Sequence, residues 1–262
     1  MERNKYTCVS ICTTWDPDKS SHNVRIIDGV PSKLYCEPAL LSTELAMSDT
    51  GFSKGLHILD VKWSTEMRGS HAVIGVALAE APKHANFYTN LLGSTESSWG
   101  WDINNNKLIH NGQTIGNYPK DKVDGVFEVP KKISCIIDMI TGTIGFKTNG
   151  EYLGDAFSGL KHKTVFLAVS AVREGAKISV AYNKGCNNTP LSLQDLSKLT
   201  LRDRVKFAEQ IDDLPTSPGL KRLIADKSIT DLESIDENMA LRRFIWISGC
   251  LPQGWRSGKS SL

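Results

Sequence analysis

The chain has no run of eighteen apolar residues, so no helix is expected to span a membrane. Its first residues, Met1-Glu2-Arg3-Asn4-Lys5, lead into no apolar segment, and no secretion signal is expected. Cysteine is scarce and scattered. The six residues, Cys8, Cys12, Cys36, Cys135, Cys186 and Cys250, include no Cys-x-x-Cys pair. That spacing points to the reducing cytosol or nucleus. An excess of one charge is also missing. The 31 basic and 29 acidic residues leave a net charge of +2, which gives no electrostatic case for nucleic acid or an anionic membrane. The six histidines are isolated, with no His-Glu-x-x-His spacing, and Gly93-Ser94-Thr95 lacks the pattern of a phosphate loop. Asp60, Asp102 and Asp138 read more simply as strand-end or turn residues than as a catalytic set. His57 and His71 lie within strand patterns and read as satisfied core or flanking residues. No cofactor, metal or enzymatic activity is expected.

What is present centres on Ser98-Trp99-Gly100-Trp101-Asp102-Ile103-Asn104-Asn105-Asn106-Lys107-Leu108-Ile109-His110-Asn111-Gly112. The two tryptophans are two residues apart, which puts both indoles on one face of a strand. Three asparagines then turn the chain, because Asn tolerates left-handed backbone and bonds its own main chain. Leu108-Ile109 opens a second strand, and Asn111-Gly112 is a strong hairpin signal.

Other short strands surround this hairpin. Residues 1–14 read as a flexible N-terminus. Asn23-Val24-Arg25-Ile26 and Lys33-Leu34-Tyr35-Cys36 flank Asp28-Gly29 as strand, turn, strand. Residues 37–53 read as a loop with short turns. Leu56 to Trp63 alternates, with Leu56, Ile58 and Val61 or Trp63 inward. Ala72 to Leu78 is continuously apolar and suits a central strand. Residues 80–95, with Phe87-Tyr88 and Leu91-Leu92-Gly93, form a long connection of the kind that often carries function. Residues 111–125 read as a polar loop. Ile133–Asp138, with Cys135 as a small hydrophobe, and Thr143–Lys147 flank Thr141-Gly142; Asn149-Gly150 turns the chain into Glu151–Phe157. Val165–Val172 and Lys177–Tyr182 complete a set typical of a mainly β, antiparallel sandwich. From Pro190 the period becomes helical, through Leu193, Leu196, Leu201, Val205 and Ala208. Leu214-Pro215-Thr216-Ser217-Pro218 ends that helix, and Thr230-Asp231-Leu232-Glu233 reads as a capping box.

Taken together, Gly55-Leu56-His57, Trp63, His71 to Ala77, Ser98 to Asp102, Asp138 with Gly142-Thr143, Tyr152-Leu153-Gly154 with Ala156-Phe157, and Val169 to Val172 resemble the SPRY domain-containing SOCS box proteins. The resemblance runs from about Trp15 to Ala225. It implies a bent antiparallel SPRY β-sandwich over residues 15–187 and a small helical SOCS box over 190–226. Residues 227–262 remain as an extra helix and a disordered tail. It further implies a substrate-recognition adaptor of a cullin-RING ubiquitin ligase, with Elongin B and Elongin C as partners. The target would be a protein carrying a short linear motif of the form acidic, aliphatic, then three asparagines.

Carried over residue by residue, the resemblance puts the peptide pocket on Cys36, Pro38 and Leu40, on Ser70 and Tyr88, and on Val172, Arg173 and Glu174. The family usually has arginine where Cys36 stands, and tryptophan-glycine where Arg173-Glu174 stand. It puts Elongin contacts on Leu193, Leu196 and Ser197, the last in place of a cysteine. Cullin contacts fall on Leu214, Pro215 and Pro218, the second proline coming later than the family pattern has it. The alternative is a peptide-binding adaptor whose degenerate box recruits no ligase. Apart from such a complex the chain is expected to be a monomer.

Overall fold

A strand buries one face when apolar and polar residues alternate, and it buries both when apolar residues run on. The chain uses both patterns. The structure, a computed structural model, describes residues 7–9, 11–37, 41–120, 127–172 and 174–187. The strands are β1 (Thr7–Val9), β2 (Trp15–Asp16), β3 (Val24–Ile27), β4 (Val30–Cys36), β5 (Thr43–Phe52), β6 (Leu56–Trp63), β7 (Ala72–Ala77) and β8 (His84–Ala85). They continue as β9 (Ser98–Asp102), β10 (Lys107–His110), β11 (Gln113–Asn117), β12 (Lys132–Asp138), β13 (Thr143–Thr148), β14 (Glu151–Phe157), β15 (Val165–Ala171) and β16 (Lys177–Asn187). A 3-10 turn, Thr65–Met67, follows β6.

The strands form two antiparallel sheets. The first runs β14-β13-β12-β6-β16-β4-β3, with β1 on β16; the second runs β11-β10-β9-β7-β15-β5-β2, with β8 on β5. The core lies between them. Leu59, Val61 and Trp63 of β6 and Ile133, Cys135 and Ile137 of β12 meet Ile74 and Val76 of β7, Trp99 and Trp101 of β9, and Val165, Leu167 and Val169 of β15. Trp101 sits at its centre, its ring 4.9 Å from Phe146 and 5.1 Å from Tyr118. The hairpin turns form as their residues dictate: Asn111-Gly112 and Asn149-Gly150 all have positive φ, the backbone of a type I′ turn.

Four expectations are corrected. Residues 37–53 are not simply a loop, because Thr43–Phe52 is a ten-residue strand beside β15. Its Thr43, Glu44 and Ser48 are buried along with Leu45, Ala46 and Met47, so no polar face marks it in the sequence. In β6 the residues facing the inter-sheet core are Leu59, Val61 and Trp63. Leu56 and Ile58 lie on the other face, against Ile136 and Cys186. Residues 111–125 include the edge strand β11, almost wholly exposed and therefore without an apolar pattern. Within the expected flexible N-terminus, Thr7–Val9 pairs with β16. The helical box at 190–226 and the segment 227–262 lie outside the described residues. No helix among the described residues is long and apolar enough to cross a membrane.

Candidate functional site

The strand order gathers five loops at one end of the sandwich. In the second sheet Glu44 pairs with Ala171, Ala171 with Ala72, and Val73 with Asp102. That row is the start of β5 and β7 and the end of β15 and β9. The described loop residues leaving it are 37, 41–42, 69–71, 86–92, 103–106, 172 and 174–176. The last is also joined to β4, because Cys36 N–H donates to the Ala176 carbonyl at 3.1 Å and Gly175 N–H to the Cys36 carbonyl at 2.9 Å.

Tyr88 and Phe87 are the aromatic surface of this end, 46% and 71% exposed. Beneath them the Thr43 hydroxyl donates to the Phe87 carbonyl at 2.6 Å and accepts from Thr89 N–H at 3.0 Å. Asn90 Nδ2 donates to Asp102 Oδ2 at 3.2 Å. Ser70 is exposed on its own loop, with its hydroxyl 2.9 Å from His71 Nδ1. That loop is held on both sides. Asn104 Nδ2 donates to the Gly69 carbonyl at 2.8 Å, and the buried Arg68 guanidinium donates to the carbonyls of Val129 and Pro130 at 2.7 Å each. Burial lowers the pKa of Arg68 from its ordinary value. Val172 is half-buried and Glu174 exposed.

Thus Ser70, Tyr88, Val172 and Glu174 stand on loops that leave the same end. Cys36 reaches that end too, but its side chain is buried within the inter-sheet core. Burial, and then the nearby Glu44 charge, push its thiol up to about 12, so it offers neither a thiolate nor a cation. Pro38, Leu40 and Arg173 lie outside the described residues, as do Leu193, Leu196, Ser197, Leu214, Pro215 and Pro218.

Two groups at this end had no sequence signal. Leu41 is exposed beside Ser42 and Thr43. Glu44 is buried, and its carboxylate accepts hydrogen bonds from Ser21, from Asn23 Nδ2 at 2.8 Å and from His84 Nδ1 at 3.1 Å. Burial opposes its charge, but those bonds, with one from Ser42, outweigh burial and hold its pKa below the ordinary value. The same contact raises the pKa of His84. Among the described residues no three His, Cys, Asp or Glu side chains are placed to hold a metal ion. Asp102 is no free carboxylate either. It accepts from the main-chain N–H of Asn104 at 3.0 Å and of Asn105 at 3.1 Å, and from Asn105 Nδ2 at 2.9 Å. The site is therefore built of fixed loops, exposed aromatics and backbone groups, which suits the grip of an extended peptide.

Comparison with known proteins bears on the family and the fold. The SPRY domain family matches residues 57–185. The chain is 39% identical to human SPRY domain-containing SOCS box protein 2 over 216 residues, covering 80% of this chain and 81% of that protein. It is 36% identical to protein gustavus of Drosophila melanogaster, covering 82% and 79% of the two chains. Among solved structures, the SPRY domain of human HERC1 superposes with a TM-score of 0.51 at 20% identity, over 64% of this chain and 97% of that one. The TRIM65 PSpry domain gives 0.50 at 17% identity, over 66% and 90%. These two structures share the sandwich fold.

Proposed function

Because the chain belongs to the SPRY domain-containing SOCS box protein family, we propose that it is a substrate-recognition adaptor of a cullin-RING ubiquitin ligase. The loops around Tyr88 take a short linear peptide of the target, and residues 190–226 take Elongin B and Elongin C. One observation carries the reading: Tyr88 is an exposed aromatic on a loop fixed from beneath, at the end of the sandwich where Ser70, Val172 and Glu174 also stand. An aromatic ring with a hydroxyl supplies apolar contact and one hydrogen bond at low entropic cost. No step of this function is catalytic in the chain itself; the adaptor positions its target for the ligase.

The pocket differs from the family pattern in a way that shifts its ligand. Cys36 is a buried, neutral thiol where the family has an arginine, and Glu174 is exposed on the 172–176 loop. An acidic peptide residue thus meets less positive charge, and the acidic–aliphatic–Asn-Asn-Asn motif binds more weakly than the same peptide with its acid neutralised. A peptide array probed with the full chain, with Elongin B and Elongin C co-purified from the same preparation, tests both halves. Leu193→Ala reduces Elongin capture; capture equal to wild type removes the box from the proposal. Peptide binding without Elongin capture in the wild type would instead fit the adaptor whose box recruits no ligase, the reading favoured by Ser197 and the late Pro218.

A further inference from the structure

The connection that carries Tyr88 runs from Leu78 to Ser97, long enough to be mobile, yet it is pinned at three successive places by side chains that ligand cannot reach. Thr43 is fully buried. Its hydroxyl takes the N–H of Thr89 and gives its proton to the carbonyl of Phe87, with the Thr89 carbonyl a second acceptor at 3.3 Å. Tyr88 is thus bracketed on both sides by one oxygen atom. Asp102, 1% exposed, holds Asn90 through its carboxylate. Ser170, fully buried on β15, accepts the N–H of Leu92 at 3.2 Å. The three anchors come from three different strands, β5, β9 and β15. Their oxygens take the main-chain N–H groups of Thr89 and Leu92 and the Asn90 side-chain amide, while Leu91 and Leu92 pack with Leu45 and Val73.

We propose that Thr43, with Asp102 holding Asn90 further along the same connection, is a positioning residue for peptide recognition: it presets the Phe87-Tyr88 edge in its binding conformation, so that the peptide does not bear the cost of ordering the loop. This rests on the peptide-binding reading above. A preset loop matters because immobilising backbone on binding reduces affinity directly. Neither side chain touches ligand, so their effect passes through Tyr88. The exposure of Phe87, 71%, then reflects a backbone that is held while the ring projects, and Phe87 joins Tyr88 as contact surface.

Thr43→Val keeps the shape of the side chain and deletes both bonds; Thr43→Ser keeps the hydroxyl. Two measurements on the full chain decide the matter. Amide hydrogen exchange of the free protein is expected to speed up at residues 87–90 in Thr43→Val, to stay slow in Thr43→Ser, and to be unchanged in β7 and β15. With a fluorescein-labelled Asn-Ile-Asn-Asn-Asn peptide, the acid-neutralised motif, as probe, Thr43→Val should bind about tenfold more weakly, the scale of one or two net hydrogen bonds. Thr43→Ser should restore the affinity. Unchanged exchange at 87–90 in Thr43→Val overturns the proposal, and so does faster exchange with wild-type affinity. If the wild-type chain binds no peptide on the array either, the peptide-binding reading fails; the exchange data still show whether Thr43 holds the loop.

Discussion

Gly75→Ala should come close to unfolding the protein, and the reason is local. Gly75 and Gly100 stand opposite each other in the β7–β9 ladder. A Cβ at Gly75 would lie 1.9 Å from the carbonyl oxygen of Trp99 and 3.0 Å from its carbon. Carbon and oxygen normally approach to about 3.3 Å, so β9 would have to retreat by more than ~1 Å. The obstructing atom is main chain, which cannot rotate away. Such a retreat weakens ladder hydrogen bonds at ~1 kcal/mol each and loosens Trp101, which is fully buried on the same strand. Overpacking of a core that can still adjust costs ~1–3 kcal/mol, so with the ladder losses the total is about 4 kcal/mol. A domain of ordinary stability has only ~5–15 kcal/mol to lose. Gly29→Ala is the control. Gly29 has φ of +73° but nothing within 4 Å of a Cβ, so it carries only the left-handed penalty. That penalty is ~1–2 kcal/mol. Urea unfolding followed by tryptophan fluorescence compares the two. Failure of Gly75→Ala to fold is the extreme of the expected direction; a stability within 1 kcal/mol of wild type, or equal to Gly29→Ala, refutes the argument.

Three further outcomes are expected. Tyr88→Ala should lower affinity for the best array peptide by more than about tenfold, as an aromatic anchor does. Its melting temperature should stay at the wild-type value, since the ring is exposed; an unaltered dissociation constant would remove Tyr88 from the site. His84→Gln should destabilise the protein at pH 5.5 and hardly at pH 8. The hydrogen bond that His84 donates to Glu44 raises the folded pKa of His84 above its ordinary value of 6.5, so its contribution is complete below that value and disappears as pH rises through the folded pKa. The side chain is 31% exposed, and solvent screening keeps the effect under ~1 kcal/mol; a gap that does not change with pH between thermal melts would contradict it. Sedimentation at micromolar concentration should show a monomer, although Asp102-Ile103-Asn104-Asn105-Asn106 reproduces the family's peptide motif. Asp102 and Ile103 are 1% and 2% exposed and tied into the strand end, so the segment cannot be offered to another copy; a concentration-dependent dimer lost in the double variant Asn104→Ala, Asn105→Ala would refute this.

Some of this protein is determined by the sequence alone. Both indoles of Trp99 and Trp101 share a face because they are two residues apart, and the Asn-Gly pairs turn because only such residues accept positive φ in succession. Cys135 reads as a buried hydrophobe and is one. The exposed Tyr88 is legible too, since a long connection between strands must run over the surface. These features depend on neighbours along the chain. What sequence reading missed depends on neighbours across it. β5 hid because both its faces are covered, one by the core and one by the 80–95 connection, which erases alternation. β6 misled for the same reason, its outer face being occupied by Leu56 and Ile58. Cys36, which the resemblance puts at the pocket, has its side chain in the core, on the strand paired with Val24. The bonds of Thr43 to residues 87 and 89, and of Glu44 to His84, span forty residues or more. They exist because β8 pairs with the start of β5, while the order β5-β15-β7-β9 brings the other non-consecutive strands to the same end, a decision of the whole sheet that no local stretch carries.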